Sequence, residues 1–312
     1  MSIDDSQKCE FGRLLQAFRT AQERGDFEQA ESIGMQCLVF ASEEAERNPN
    51  ESLRLVQEAH EHEDAARWEQ AEAAHRRALA LAQAEGNEAM IFKAHDDLRS
   101  LYAICGAADK ALQEAQAALQ AARKSDMAPL LVMALGGLFQ CHLMKGDMTS
   151  VAATAEEAVR VVPAEKMYDG QRARALLMRA RCRVEQRQVS QAEQDLKVAW
   201  RILAPQAKAA MFAGVQSSLA VWWEITARIR TQSKDFAAAA QAMGKAVEFR
   251  RTVSHLPQLA GPHKHYALAK VLQEYSVALL AAGEVESAIG AFDESRKIQQ
   301  KTGIAIPLPG TV

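Results

Sequence analysis

Along most of the chain, apolar residues recur three and four positions apart with polar residues between them, a pattern that predicts amphipathic helices rather than strands. The stretch Leu98 to Arg123 is typical. Leu98 and Tyr102 lie one turn apart on a first predicted helix, and Ala111, Ala115 and Ala118 form a small-residue stripe on a second. Gly106 stands between them, where a tight turn needs a residue free of a Cβ. The figure recurs. Aligned segments are Gly25–Ala30, Ala66–Ala71, Gly106–Ala111, Gly146–Val151, Arg187–Ala192, Lys234–Ala239 and Gly283–Ala288, whose last residues are 41, 40, 40, 41, 47 and 49 apart.

Seven residues beyond each endpoint stands a small side chain: Cys37, Ala78, Ala118, Ala158, Ala199, Ala246 or Ser295. The next residue is mostly large, as in Leu79, Leu119, Trp200 and Val247, with Arg296 the exception in the last unit. Sixteen residues before each endpoint come Leu14, Leu55, His95, Leu135, Leu176, Trp223 and Leu272. Each unit therefore reads as a helical hairpin with an apolar seam and one crossing point kept small. Two stretches break the pattern. Ser254 to His265 holds two prolines and predicts a longer loop, and Gly303 to Val312 predicts an extended tail.

This array resembles the tetratricopeptide repeat (TPR), through Gly-Asp-Phe/Met before an alanine, the small residue seven positions on, Pro163 closing the fourth unit and Trp223 at the usual Trp place. The period of about 40 exceeds the common 34. It is similar to the longer-helix variety of kinesin light chain and of bacterial peptide-sensing regulators. The resemblance implies an all-α, right-handed superhelical solenoid of about seven antiparallel helix pairs, with the first helix of each pair lining a concave groove. It spans residues 1–302 as one domain, followed by the tail 303–312.

Composition narrows the function classes. A formal charge of −3 lacks the basic excess of a generic nucleic-acid binder. No apolar run is long enough for a membrane span, and the acidic start MSIDDSQKCE is not a secretory signal. Five widely spaced cysteines (Cys9, Cys37, Cys105, Cys141 and Cys182) read as reduced thiols of a cytoplasmic protein. There is no nucleophile elbow, phosphate-cradling loop or His-Glu-x-x-His, so no catalytic residue and no cofactor is expected.

Two histidine clusters invite a metal reading. On one helix His60 and His62 point to opposite sides, and His60 with Asp64 supplies two ligands where zinc needs three or four. His255, His263 and His265 share the predicted loop without a cysteine nearby. The first cluster reads as a solvated helix end on ligand count, and the loop histidines, which a loop could converge, have no cysteine to complete a site, so no metal is assigned.

Gly136 and Gly137 inside a predicted helix cost roughly 2 kcal/mol relative to alanine, so something requires the space: a neighbour packed closely or a ligand on bare backbone. The repeat register puts them on the groove with Gln140. Lys93, Asp96, Asp97 and Ser100 come from the preceding unit, then Arg174, Met178 and Arg181, then Glu224 and Arg228, from those that follow. Arg172, Arg179, Arg183 and Arg187 project elsewhere and read as a solvated, salt-bridging face. The expected activity is that of a non-enzymatic scaffold for a protein or peptide segment, with a regulatory or assembly role. The alternatives are a sensory module of a larger signalling or transcription system, and an unrecognised enzyme or metal protein. A tail docked on a second copy would give a homodimer.

Overall fold

A computed structural model describes residues 51–306 except 126, 208–212, 257–262 and 305, together with scattered positions between 13 and 36. Twelve α-helices follow one another from Glu51 onward, and no strand occurs among the described residues. They are α1 (Glu51–Asp64), α2 (Trp68–Ala84), α3 (Glu88–Ile104), α4 (Ala108–Lys124), α5 (Ala128–Met144) and α6 (Met148–Val161). After a short 3₁₀ turn come α7 (Asp169–Glu185) and α8 (Val189–Leu203), and after a second, α9 (Ala213–Gln232) and α10 (Phe236–Ser254). The last pair is α11 (His263–Ala281) and α12 (Val285–Thr302). The chain is an all-α helical-repeat solenoid. The hairpin of the first unit lies largely outside the described residues, as do Cys9, Cys37 and Leu308.

The repeat turn has a simple physical basis. The first residue of every aligned segment takes a left-handed conformation: Gly25, Gly106, Gly146 and Gly283, but also Ala66, Arg187 and Lys234, with φ between 54° and 84°. The residue after it sits at the N-cap of the second helix. There Asp26, Asp147 and Asp235 accept hydrogen bonds from the backbone N–H three residues on. The Gly-Asp pair thus stops one helix and starts the next.

The small positions behave as the register predicts. Ala78, Ala118, Ala158, Ala199, Ala246 and Ser295 are all at most 1% exposed, and large seam residues such as Leu55, Leu135 and Leu272 are buried beside them. A side chain larger than alanine at these positions would separate the helices.

In the middle of the array first helices pack against the first helix of the next unit, α3 on α5, α5 on α7 and α7 on α9, which makes these the inner layer. The array also returns on itself. Helix α11 touches α3, and a Cβ built on Gly303, just after α12, would come 2.8 Å from the Cβ of Ala66 in the α1–α2 turn. The predicted loop from Ser254 is shorter than expected, since α10 runs through Ser254 and α11 begins at His263; residues 257–262 lie outside the described set. Of the predicted tail, Ile304 is buried and the Ile306 N–H donates to Gln299 Oε1, so its start lies on its own chain.

Candidate functional site

The groove residues named from sequence come from α3, α5, α7 and α9, but they do not form one uniform surface. Gly137 is filled from the neighbouring unit. A Cβ there would stand 2.7 Å from Arg99 Nε and 3.3 Å from Asp96 Oδ1. Arg99 Nε donates to Asp96 Oδ1 at 2.7 Å and Arg99 Nη2 donates to Ser100 Oγ at 2.7 Å. The space that the sequence left open between packing and ligand is, at Gly137, the seat of an ion pair. Gly136 differs: its nearest neighbour would be Arg174 Nε at 3.9 Å, an ordinary contact. Gln140 is exposed.

Asp96 and Asp97 part company although adjacent. Asp96 joins Arg99 on the inner layer; burial pushes its carboxyl up, but Arg99, with Lys93 and Arg174, outweighs this and holds it below the usual carboxylate range. Asp97 is buried and turns toward α2, where its Oδ2 lies 4.0 Å from His75 Nδ1. Lys93 Nζ donates to Asp97 Oδ1 at 2.6 Å. Lys93 and Asp97 therefore neutralise one another away from the glycines.

Arg174 and Arg181 are the two guanidiniums left over. Among the described residues neither has a carboxylate within ion-pair distance, and Arg181 Nε is buried without a hydrogen-bond partner. Arg174 is open to solvent along the groove yet crowded by protein on its other sides. That crowding pulls its pKa down, as do Arg99 and Arg250, with Asp96 opposing. Burial and Arg228 do the same to Arg181, with Glu224, Glu274 and Glu185 opposing. Both remain cations at neutral pH, because an arginine starts so far above it. Met178, between them in sequence, is buried in the core and presents no groove surface.

Beyond Arg181 the arginines and glutamates are paired. Arg250 donates to Glu224 Oε1 through Nη2 at 2.8 Å and Nε at 3.1 Å. Arg228 donates to Glu274 at 3.3 Å and to Glu185 at 3.5 Å. Burial lowers the pKa of Lys270, with Arg181 and Arg228 adding to the effect and Glu274 and Glu224 opposing it. Sequence reasoning missed Arg99, Arg250, Lys270 and Glu274. Arg99 was legible as the i+3 partner of Asp96 on one helix face. Lys270 and Glu274 were not, because they come from α11, whose approach to α9 brings Glu274 to Arg228.

The remaining arginines of α7 are structural. Arg179 donates to both oxygens of Asp195, at 3.0 and 2.7 Å, and Arg183 donates to Asp195 Oδ2 at 2.7 Å. Arg172 bonds to Asp169 and to the carbonyl of Pro163. Of the predicted loop histidines, His255 has its ring Nδ1 2.6 Å from the Arg251 carbonyl, while the side chain of His263 lies outside the described residues. A separate apolar depression of about 360 Å³ between α8 and α9 is lined by Leu196, Trp200, Trp222 and Ile229. The Trp222 Nε1–H donates to the Leu196 carbonyl there. The described cysteines, Cys105, Cys141 and Cys182, are free thiols.

No protein-family model matches the chain, and no curated protein matches it. Solved structures do. A Rap protein complexed with competence and sporulation factor aligns over 92% of this chain and 74% of its own, at 12% identity and a TM-score of 0.59. BtubC (BKLC) from P. vanneervenii aligns over 78% of this chain and 96% of its own, at 19% identity and a TM-score of 0.49. The fold is that of the TPR-like helical-repeat proteins. No described helix is long and apolar enough to cross a membrane.

Proposed function

We propose that the chain is a non-enzymatic scaffold that binds a protein or peptide segment in its groove, seating an acidic group of that segment on Arg174 and Arg181. The observation that carries this reading is that these two guanidiniums have no carboxylate partner while Asp96, Glu224, Glu185 and Glu274 around them all do. A half-desolvated guanidinium gains most from a planar carboxylate, which it can grip with two parallel hydrogen bonds. An extended segment suits the site because the inner helices run past it in series, each presenting one or two side chains. With Asp96 already matched by Arg99, the groove near Gly136 carries net positive charge, so a side-chain or C-terminal carboxylate is favoured over a zwitterionic one. The likeness to a Rap protein solved in complex with competence and sporulation factor supports a binding role for this fold. We assign such binding a regulatory or assembly role in the cytoplasm, with no chemical step.

The test uses fluorescent peptide panels of matched length, rich in acidic, neutral or basic residues, and reads anisotropy. Acidic members should bind best, and Arg174→Glu with Arg181→Glu should weaken them by more than tenfold. Lys245→Glu, on the outer helix α10, should leave them unchanged. Equal binding by the double variant would move the site elsewhere.

A further inference from the structure

At one end of the described array, α1, α2 and α3 bring together side chains that the groove does not use. His60 and Glu63 are three apart on α1 and share a face, and His75 arrives from α2. One ligand atom from each lies within 4.8 Å of the other two. Glu63 and His75 are fully buried and His60 is half-buried. His75 Nε2 is 3.1 Å from Glu63 Oε1. On the far side of the ring, His75 Nδ1 faces Asp97 Oδ2 at 4.0 Å.

The hydrogen-bond inventory of His75 is the telling feature. With Glu63 ionised, its carboxylate only accepts, and the contact then puts the ring proton on Nε2. In the neutral ring Nδ1 is then an acceptor, and it is buried without a hydrogen-bond partner, opposite another carboxylate that cannot donate to it. A metal ion on Nε2 reverses the arrangement. The ring proton then sits on Nδ1 and donates to Asp97, giving the carboxylate–histidine–metal relay that fixes ligand orientation in metal sites.

We propose that His60, Glu63 and His75 bind a divalent transition-metal ion, zinc by the nature of the donors, with Asp97 orienting His75 from behind. Two imidazoles and one carboxylate form a ligand set that zinc accepts, with water completing the coordination. Ligand atoms around tetrahedral zinc lie about 3.4 Å apart for bonds of roughly 2.0–2.1 Å. The Glu63–His75 pair, at 3.1 Å, is within a few tenths of an ångström of that spacing, so most of the adjustment falls on His60, whose half-open position leaves it room to move. Lys93, bonded to Asp97, keeps that carboxylate in place. The ion would tie α1 to α2 directly and to α3 through Asp97, a staple across three consecutive helices. The HEHED sequence hid the site, because the third ligand comes from the next helix.

The experiment uses the full chain, stripped with a chelator, then titrated with Zn²⁺ in competition with a chromophoric chelator and separately with Co²⁺. We expect about one equivalent of zinc per chain, a rise in Tm on binding, and visible Co²⁺ bands of a low-coordinate nitrogen–oxygen site. His60→Ala should weaken zinc at least tenfold while preserving the far-ultraviolet circular dichroism of the metal-free protein. Asp97→Asn should weaken it by about ten- to a hundredfold, and His255→Ala should not affect it. If His75→Asn does not fold, the cobalt spectrum of the wild type and the His60→Ala variant still decide the matter. Failure of the wild type to take up zinc stoichiometrically would overturn the proposal, leaving His75 and Glu63 as a buried hydrogen-bonded pair between α1 and α2. Unchanged binding by His60→Ala would overturn it equally.

Discussion

Gly137 on α5 and Arg99 on α3 occupy one volume: a Cβ on the glycine would stand 2.7 Å from the arginine Nε and 2.9 Å from its Cδ. These are mid-chain atoms, held by the bonds from Arg99 to Asp96 and Ser100, so they cannot simply swing aside. Gly136, one residue away, meets only Arg174 Nε at 3.9 Å. The two glycines should therefore respond with opposite sign. Gly136→Ala gains helix propensity and should stabilise by about 0.5–1 kcal/mol. Gly137→Ala gains the same propensity but must dislodge the Arg99–Asp96 pair, and should destabilise by about 1 kcal/mol net. Urea denaturation of both variants checks this, and equal shifts in the midpoint would refute it.

Three hairpin turns place a side chain where the others place glycine. Arg187 and Lys234 are exposed at φ of 60° and 61°. A non-glycine residue in this region costs roughly 1–2 kcal/mol, against which glycine loses about 0.5–1 kcal/mol of extra chain entropy. Lys234→Gly should thus raise stability by about 0.5–1 kcal/mol. A thermal melt unchanged or lowered by that substitution would show the turn to be relaxed as it stands.

Much of this fold was legible in the chain because a repeat averages its own noise. The turn residue, the N-cap and the small crossing position each recur at near-fixed spacing, so weak signals such as Ala78 or Ser295 support one another. The site was legible only in part. The register placed Arg174 and Arg181 on the inner helices, since that follows from one helix face. It did not show that Asp97 turns toward His75, because adjacent residues on a helix diverge by about 100° and either could face the groove. Nor did it show Lys270 and Glu274, which reach the site from α11, where Glu274 meets Arg228 of α9.

The crossing positions make a direct test of the register. Ala118 is 1% exposed within the core shared by α3, α4, α5 and α6. Ala118→Leu adds three carbons where two helices are closest and should destabilise by roughly 1–3 kcal/mol. An unchanged denaturation midpoint would mean that the helices cross elsewhere.

Asp195 is the buried anion that holds α7 to α8. It is 4% exposed and receives three hydrogen bonds from Arg179 and Arg183, whose own side chains are about one-fifth exposed. Asp195→Ala leaves the two guanidiniums with only longer contacts, to Glu156 and to the Gln191 carbonyl. Removing one member of a fully buried pair costs about 3–5 kcal/mol; partial solvent access for the arginines lowers the expectation here to about 2–3 kcal/mol. Replacing Arg179 alone should cost less, because Arg183 keeps the carboxylate paired. A double-mutant cycle over Asp195 and Arg179 measures the coupling, and additivity would show the contact to be energetically idle.

Acid sensitivity follows from the inner-layer carboxylates. Burial pushes Asp96 and Glu224 up, but their arginine partners, Arg99 and Arg250 foremost, outweigh it and hold both below the usual carboxylate range. For a group whose folded pKa is depressed, the unfolded chain takes up protons first. The stabilisation is therefore complete above the unfolded value, near pH 4, and is lost as pH falls through the lower folded values. Between pH 7 and 5 these two groups should contribute no slope. Below about pH 4 stability should fall, and Asp96→Asn should make that fall shallower while lowering the plateau at neutral pH. Chemical denaturation at a series of pH values reads both effects together. A variant with the same acid slope as the wild type would show that Asp96 titrates alike in the folded and unfolded chain, and that its bond to Arg99 contributes nothing to stability.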